Sequence, residues 1–131
     1  MEYTQFMNEV QRRLPANFPA TAKVCIRAVF QTLHHRIGEG QAGQIETHLP
    51  QELKKDWEFP NPQEQAGEVF DRQQFLENVR QLAGLQDLTE AREAADVVFT
   101  VLKLAIPQAD VHDTATELPP NLRHLWLDAN A

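Results

Sequence analysis

A single cysteine stands among 131 residues, and one thiol cannot form an internal disulfide, so the chain reads as a protein of a reducing cytoplasm. No basic end joins an apolar run of signal-peptide length at the N-terminus, and the longest strictly apolar run is far below the roughly 20 residues that span a bilayer. Neither secretion nor membrane insertion is expected. Basic charge is scarce too: Lys and Arg number 12 against 19 Asp and Glu, a net charge of -7. That balance argues against nucleic acid, whose phosphates require a basic footprint. No segment alternates with period two, so no strand is expected. The sequence also lacks a Ser/His/Asp series, a G-x-S-x-G element, a phosphate-cradling glycine loop and any zinc-ligand spacing. Its five glycines read as helix stops or loop residues.

The chain does have a strong helical period, and has it twice. The stretch Ala22 to Ile37 returns 69 positions later as Ala91 to Ile106. On that offset, without a gap, Gln5, Phe6, Val10, Ala22, Val29, Phe30, Leu33, Ile37, Thr47, Leu49, Pro50, Leu53 and Trp57 meet identical residues. This predicts one unit written twice, with residues 1–58 and 68–131 as the copies and 59–67, rich in proline, as the linker. With 42% hydrophobic and 24% charged residues, a single compact soluble domain is expected.

In the first copy, Phe6, Val10 and Leu14 make one stripe over Thr4 to Arg13, and the two prolines of residues 15–20 stop that helix. The long second helix places Ala22, Ile26, Val29, Phe30, Leu33 and Ile37 on one face. Residues 38–40, Gly-Glu-Gly, then end it, glycine taking the left-handed conformation readily. A third helix over Gln41 to Thr47 and a short fourth opened by Pro50, with Leu53 and Trp57 inward, complete the unit. The second copy opens on Asp71 and Gln74, spaced for a capping box, with Phe70 and Phe75 placed for a hydrophobic staple. Asp87 and Glu90 have capping-box spacing before the second long helix, which Pro107 terminates; further helices start at Asp110 and Pro119. Each copy therefore has four helices and no sheet. A unit of this size has little core of its own. The expected fold is an all-α, pseudo-twofold helical bundle in which the long helices pack on each other or on each other's first helices.

The pattern F-x-x-x-V near the start, V-F-x-x-L-x-x-R-I over Val29 to Ile37, and L-P-x-x-L over Leu49 to Leu53 resemble the bacterial domain-of-unknown-function family numbered 2267. The resemblance runs from about Tyr3 to Trp126. It implies a doubled, all-helical fold with no assigned activity, and it brings no catalytic residues. The second copy carries Ala105 where the first has Arg36, so any role of Arg36 is not duplicated.

Individual residues offer little chemistry. Adjacent His34 and His35 point about 100° apart on a helix and cannot chelate one ion together. His112 beside Asp110 and Asp113 is the most metal-like cluster, but acids in a helix's first turn are favoured by the helix dipole alone. Trp57 and Trp126 read as core plugs at the ends of their leucine lines, with exposed partner anchors as the other reading. No catalytic residue, metal or cofactor is expected. The expected function is a non-catalytic interaction or self-associating module with a protein partner, through the ridge Lys23, Arg27, Gln31 and His34. The alternative is a small-molecule or metal-binding protein with a pocket between the copies edged by Arg36 and Cys25. Charge divides unevenly: residues 1–58 hold seven basic and seven acidic side chains, residues 59–131 five and twelve, so the entire net charge lies in the second part.

Overall fold

A computed structural model describes residues 1–58 and 71–130. The expected linker 59–67 and the staple residue Phe70 lie outside them. Among the described residues there are eight helices and no strand: α1 (Tyr3–Arg13), α2 (Ala22–His34), α3 (Glu39–Glu46), α4 (Gln51–Glu58), α5 (Arg72–Ala83), α6 (Leu88–Ala105), α7 (Gln108–Thr116) and α8 (Pro120–Asp128). The architecture is all-α.

The helix ends follow local chemistry. Thr21 caps α2 by accepting from the Val24 amide at 3.2 Å. Asp71 and Gln74 form the reciprocal capping box of α5, both bonds at 3.0 Å. The box expected at α6 is half formed. Asp87 accepts from the Glu90 amide, but the Glu90 carboxylate reaches one residue further back, to the amide of Gln86. Gly84 closes α5 in the left-handed conformation. At α6, Ile106 takes an extended backbone because the ring of Pro107 disfavours helix in the residue before it.

Three details depart from the sequence reading. Helix α2 stops at His34 rather than Ile37, because the Arg36 amide bonds three residues back, to Leu33, and tightens the chain into a turn. Gly38 is extended and serves as the N-cap of α3, not as a left-handed stop. Gly40, expected as part of that stop, lies within α3, as does Gly43; a Cβ at either position would meet nothing within 4 Å.

The apolar faces of all eight helices meet in one buried cluster. Two aromatic chains run through it. Phe6 stands 5.9 Å from Phe30, which stands 5.5 Å from Trp57; Phe75 stands 5.5 Å from Phe99, which stands 5.0 Å from Trp126. Each ring buried in this way contributes about 2–3 kcal/mol of transfer free energy. Both tryptophans are fully buried, and each indole donates to a helical carbonyl: Trp57 to Ala42 at 3.1 Å, Trp126 to Val111 at 3.0 Å. The placement as core plugs holds.

Helix α2 packs against α5 and α6, and α6 against α1 as well as its neighbour α5, so the α2–α5, α2–α6 and α1–α6 contacts each join the first part of the chain to the second. Buried polar pairs join the layers. Asn78 on α5 donates to the Thr32 hydroxyl on α2 at 2.7 Å, and Gln41 on α3 donates to the Thr114 hydroxyl on α7 at 3.0 Å. The Gly38 amide donates to the Glu117 carboxylate at 2.6 Å.

Candidate interaction surface on helix α2

The four ridge residues do not form the single solvated row that their spacing suggests. Lys23 and Arg27 both reach across to Asp56 on α4: Lys23 Nζ lies 2.5 Å from Oδ2 and Arg27 Nε 2.9 Å from Oδ1. The Asp56 side chain is 2% exposed, while those of the two cations are 39% and 49% exposed. One buried carboxylate thus serves two half-wet cations. Lys23 also lies 5.6 Å from the centre of the Tyr3 ring, a cation–π distance.

Gln31 is buried, so it is floor and not rim. His34 leaves the row as well. Its Nδ1 lies 2.6 Å from the Trp57 carbonyl, and its ring stacks with Trp57 at 5.0 Å and with His35 at 5.4 Å. The adjacent histidines lie ring against ring because His35 is where the helix ends. Beside them, burial and then the hydrogen bond and charge of Glu58 push the Glu46 carboxyl up, with Lys54 and His34 pulling the other way.

What α2 does present is a groove of about 280 Å³ against α5, lined by Lys23, Val24, Arg27, Ala28, Gln31 and Leu82. The Val24 side chain is among the few large apolar ones left exposed, and two cations rim it. A second hollow of about 490 Å³ lies at the α1–α2 turn, where Met7, Leu14 and Phe18 face Lys23.

The two residues of the alternative pocket edge line neither of the hollows just described. Cys25 is fully enclosed in the core at 0% exposure, and burial pushes its thiol up to about 11, which makes it an inert apolar filler rather than a nucleophile. Arg36 is half-buried on the turn after α2 and lines neither cavity described above. The Asp110 carboxylate faces His48 Nε2 at 3.3 Å, and His112 is exposed. Among the described residues no three His, Cys, Asp or Glu side chains converge as metal ligands, and no helix is long and apolar enough to cross a membrane.

The sequence reading missed Asp56, Asn78 and Gln41 as buried polar residues. For Asp56 a signal existed: the residue 69 places on is Leu125, an inward apolar side chain.

A model of the family described as "Uncharacterized conserved protein (DUF2267)" matches residues 3–125. The chain belongs to this family. The match covers seven of the eight helices entire and most of α8, in keeping with the helix-packing motifs around Val29–Ile37 and Leu49–Leu53. A search of curated proteins finds no match. Membership in DUF2267 leaves the chemistry of the α2 face to be argued from the residues themselves.

Proposed function

We infer that this DUF2267 protein is a non-catalytic interaction module: one domain of two related four-helix halves about a pseudo-twofold axis, with the α2–α5 groove facing a protein partner. The halves support this reading through matched contacts. The indole of Trp57 bonds Ala42 as that of Trp126 bonds Val111, and 42 and 111, like 57 and 126, differ by 69. Gln41 and Asp110, related by the same offset, touch each other, as Gln41 donates to the Asp110 carbonyl at 3.3 Å. A position that meets its own counterpart is what a twofold axis between α3 and α7 produces.

The observation that carries the functional reading is where the halves differ. Val24, Arg27 and Leu82 line the α2–α5 groove; at the offset of 69 their counterparts are Glu93, Asp96 and Arg13. On the counterpart face charged side chains stand at all three of these positions, with Arg92 3.8 Å from Asp96 on the same helix. One half therefore keeps an apolar trough with a cationic rim where the other shows that the fold does without it. Such a surface suits an acidic partner carrying apolar side chains.

A photo-crosslinking amino acid at Val24, expressed in the native host, tests this. Polypeptide adducts at position 24 and none at the counterpart position 93 are expected. Equal labelling at both positions, or no polypeptide adduct at 24, refutes the assignment.

A further inference from the structure

The amine of Lys103, half-buried on α6, is turned onto the end of α8. It donates to the carbonyls of Leu127 at 3.2 Å and Ala129 at 2.9 Å and lies 5.9 Å from the Trp126 ring centre. Burial holds its pKa below that of an ordinary lysine, against the charges of Asp128 on α8 and Asp96 on its own helix. At a given pH more of it is therefore the neutral, nucleophilic amine.

The fold does not require a primary amine there. At the offset of 69 the counterpart of Lys103 is His34, which closes the end of α4 in the same way, its Nδ1 2.6 Å from the Trp57 carbonyl. An imidazole and a lysine thus close equivalent helix ends, and of the two only the lysine can be acylated to a stable amide.

The amine also borders a cavity. A hollow of about 300 Å³ is lined by Lys103 together with Leu104, Val111 and Leu127. Leu104 is 59% and Leu127 47% exposed, and their counterparts are His35 and Glu58, so neither position demands a leucine. An amine at the edge of an apolar hollow suits a molecule with a reactive carbonyl at one end and a short hydrocarbon chain at the other.

We propose that Lys103 is an acylation site: its amine takes a short-chain acyl group from a thioester, and the chain lies between Leu104, Val111 and Leu127. In the reacting form the ammonium has given one proton to solvent. Its two remaining N–H groups keep the carbonyls of Leu127 and Ala129, and its lone pair is left for the acyl carbon. A nitrogen–carbon bond forms there, the carbon–sulfur bond breaks, the electron pair leaves with the thiolate, and a second proton passes from the nitrogen to that thiolate. The resulting amide has one N–H, so one of the two carbonyls at the end of α8 loses its donor, and the positive charge over the Trp126 ring is gone. The acyl chain in turn covers leucine surface that is otherwise wet. The hollow shares no lining residue with the α2–α5 groove, so this site stands independently of the reading of α2.

Incubating the full chain with the acetyl and butyryl thioesters of N-acetylcysteamine, and following each lysine by peptide mass spectrometry, tests the proposal. With the butyryl thioester near neutral pH, Lys103 is expected to react at least about fivefold faster than the exposed Lys55. Its rate should also level off at a lower pH than that of Lys55. The butyryl-to-acetyl rate ratio at Lys103 should exceed the ratio at Lys55 by about fourfold or more, the worth of burying one of the two added methylenes. Leu104→His, which installs the counterpart residue, should bring that ratio down toward the Lys55 value; Leu127→Glu, chosen on the same ground, stands in if the first variant fails to fold. A Lys103 that reacts no faster than Lys55 means that the carbonyls of Leu127 and Ala129 hold the amine out of reach, and it overturns the proposal. Equal ratios at the two lysines, or a ratio at Lys103 that a folded variant leaves unchanged, overturn it as well, because the hollow then takes no part.

Discussion

Replacing Trp57 and Trp126 one at a time by phenylalanine tests the packing on which the bundle rests. Each change removes the indole N–H that bonds Ala42 or Val111, and with it about 1 kcal/mol of net hydrogen-bond stabilisation. The acceptor carbonyls sit inside α3 and α7 and keep their helical bonds, so neither is orphaned. Loss of the second ring leaves a cavity of roughly 40 Å³ if the site does not collapse, about 1 kcal/mol at ~24 cal/mol per Å³. The lost transfer energy of about two buried carbons adds ~1.5 kcal/mol. The sum is about 3–4 kcal/mol for either site. The surroundings differ in one respect: His34 stacks on Trp57 where the Lys103 ammonium lies over Trp126, a difference on the order of 0.5–1 kcal/mol. The two costs should therefore agree within about 1 kcal/mol. Urea unfolding followed by far-ultraviolet circular dichroism measures both, and a slope of about 2 kcal/mol/M turns 3–4 kcal/mol into a midpoint shift of roughly 1.5–2 M. The chain has two tryptophans, so each variant retains one fluorescent reporter for checking that the transition is cooperative. A cost below 1 kcal/mol at one site and above 3 at the other would refute the reasoning that both rings occupy equivalent, fully packed sockets.

Gly43→Ala should raise stability by about 0.5–1 kcal/mol, since the glycine is helical and a methyl there meets nothing; a loss in thermal unfolding would show that α3 needs that glycine. Asp56→Leu should change stability by no more than about 1 kcal/mol, because Lys23 and Arg27 can turn to water, whereas Asp56→Ala should cost roughly 2 kcal/mol by adding a void. Equal losses for the two variants in denaturant titrations would contradict that account. The Cys25 thiol has its folded value pushed up to about 11, above that of an unfolded cysteine, so its contribution is fully present below pH ~8.5 and is lost as pH rises through about 11. Wild type should accordingly lose stability relative to Cys25→Ala across that window, and a pH-independent difference would argue against a buried thiol. Glu46 is raised by burial and by Glu58, so the same sign holds in acid: its contribution is present at low pH and lost toward neutrality. Glu46→Gln should thus stabilise by a few tenths of a kcal/mol at pH 7, and the gain should vanish near pH 3.

The fold was legible because a buried helix face writes itself as spacing. Phe6, Val10, Val29, Phe30, Leu33, Leu53 and Trp57 are buried where the periodicity places them, and so are Phe75, Val79, Phe99, Leu102, Leu122 and Trp126. Caps such as Asp71 with Gln74 are local in sequence and were readable for that reason. The surface of α2 was less so. A polar residue flanking an apolar stripe looks solvated until the neighbouring helix is known, and α4 lies against that flank, burying Asp56 and recruiting Lys23, Arg27 and His34. Gln31 went under for a similar reason, with α5 alongside it. Gly40 misled because a helix of eight residues is held by its tertiary contacts with α7 more than by propensity.

The packing of α1 on α6 has a consequence for biosynthesis. Helix α1 is complete at Arg13, but α6 is complete only at Ala105. At about 5–20 residues per second, a ribosome needs roughly 5–20 s to deliver the second after the first. Throughout that interval the nascent N-terminal helix lacks the neighbour that covers part of it, and the face bearing Phe6 and Val10 is open to any holdase near the exit tunnel. Ribosome-bound chains stalled before α6 should therefore be bound by such chaperones, and chains released beyond α8 should not.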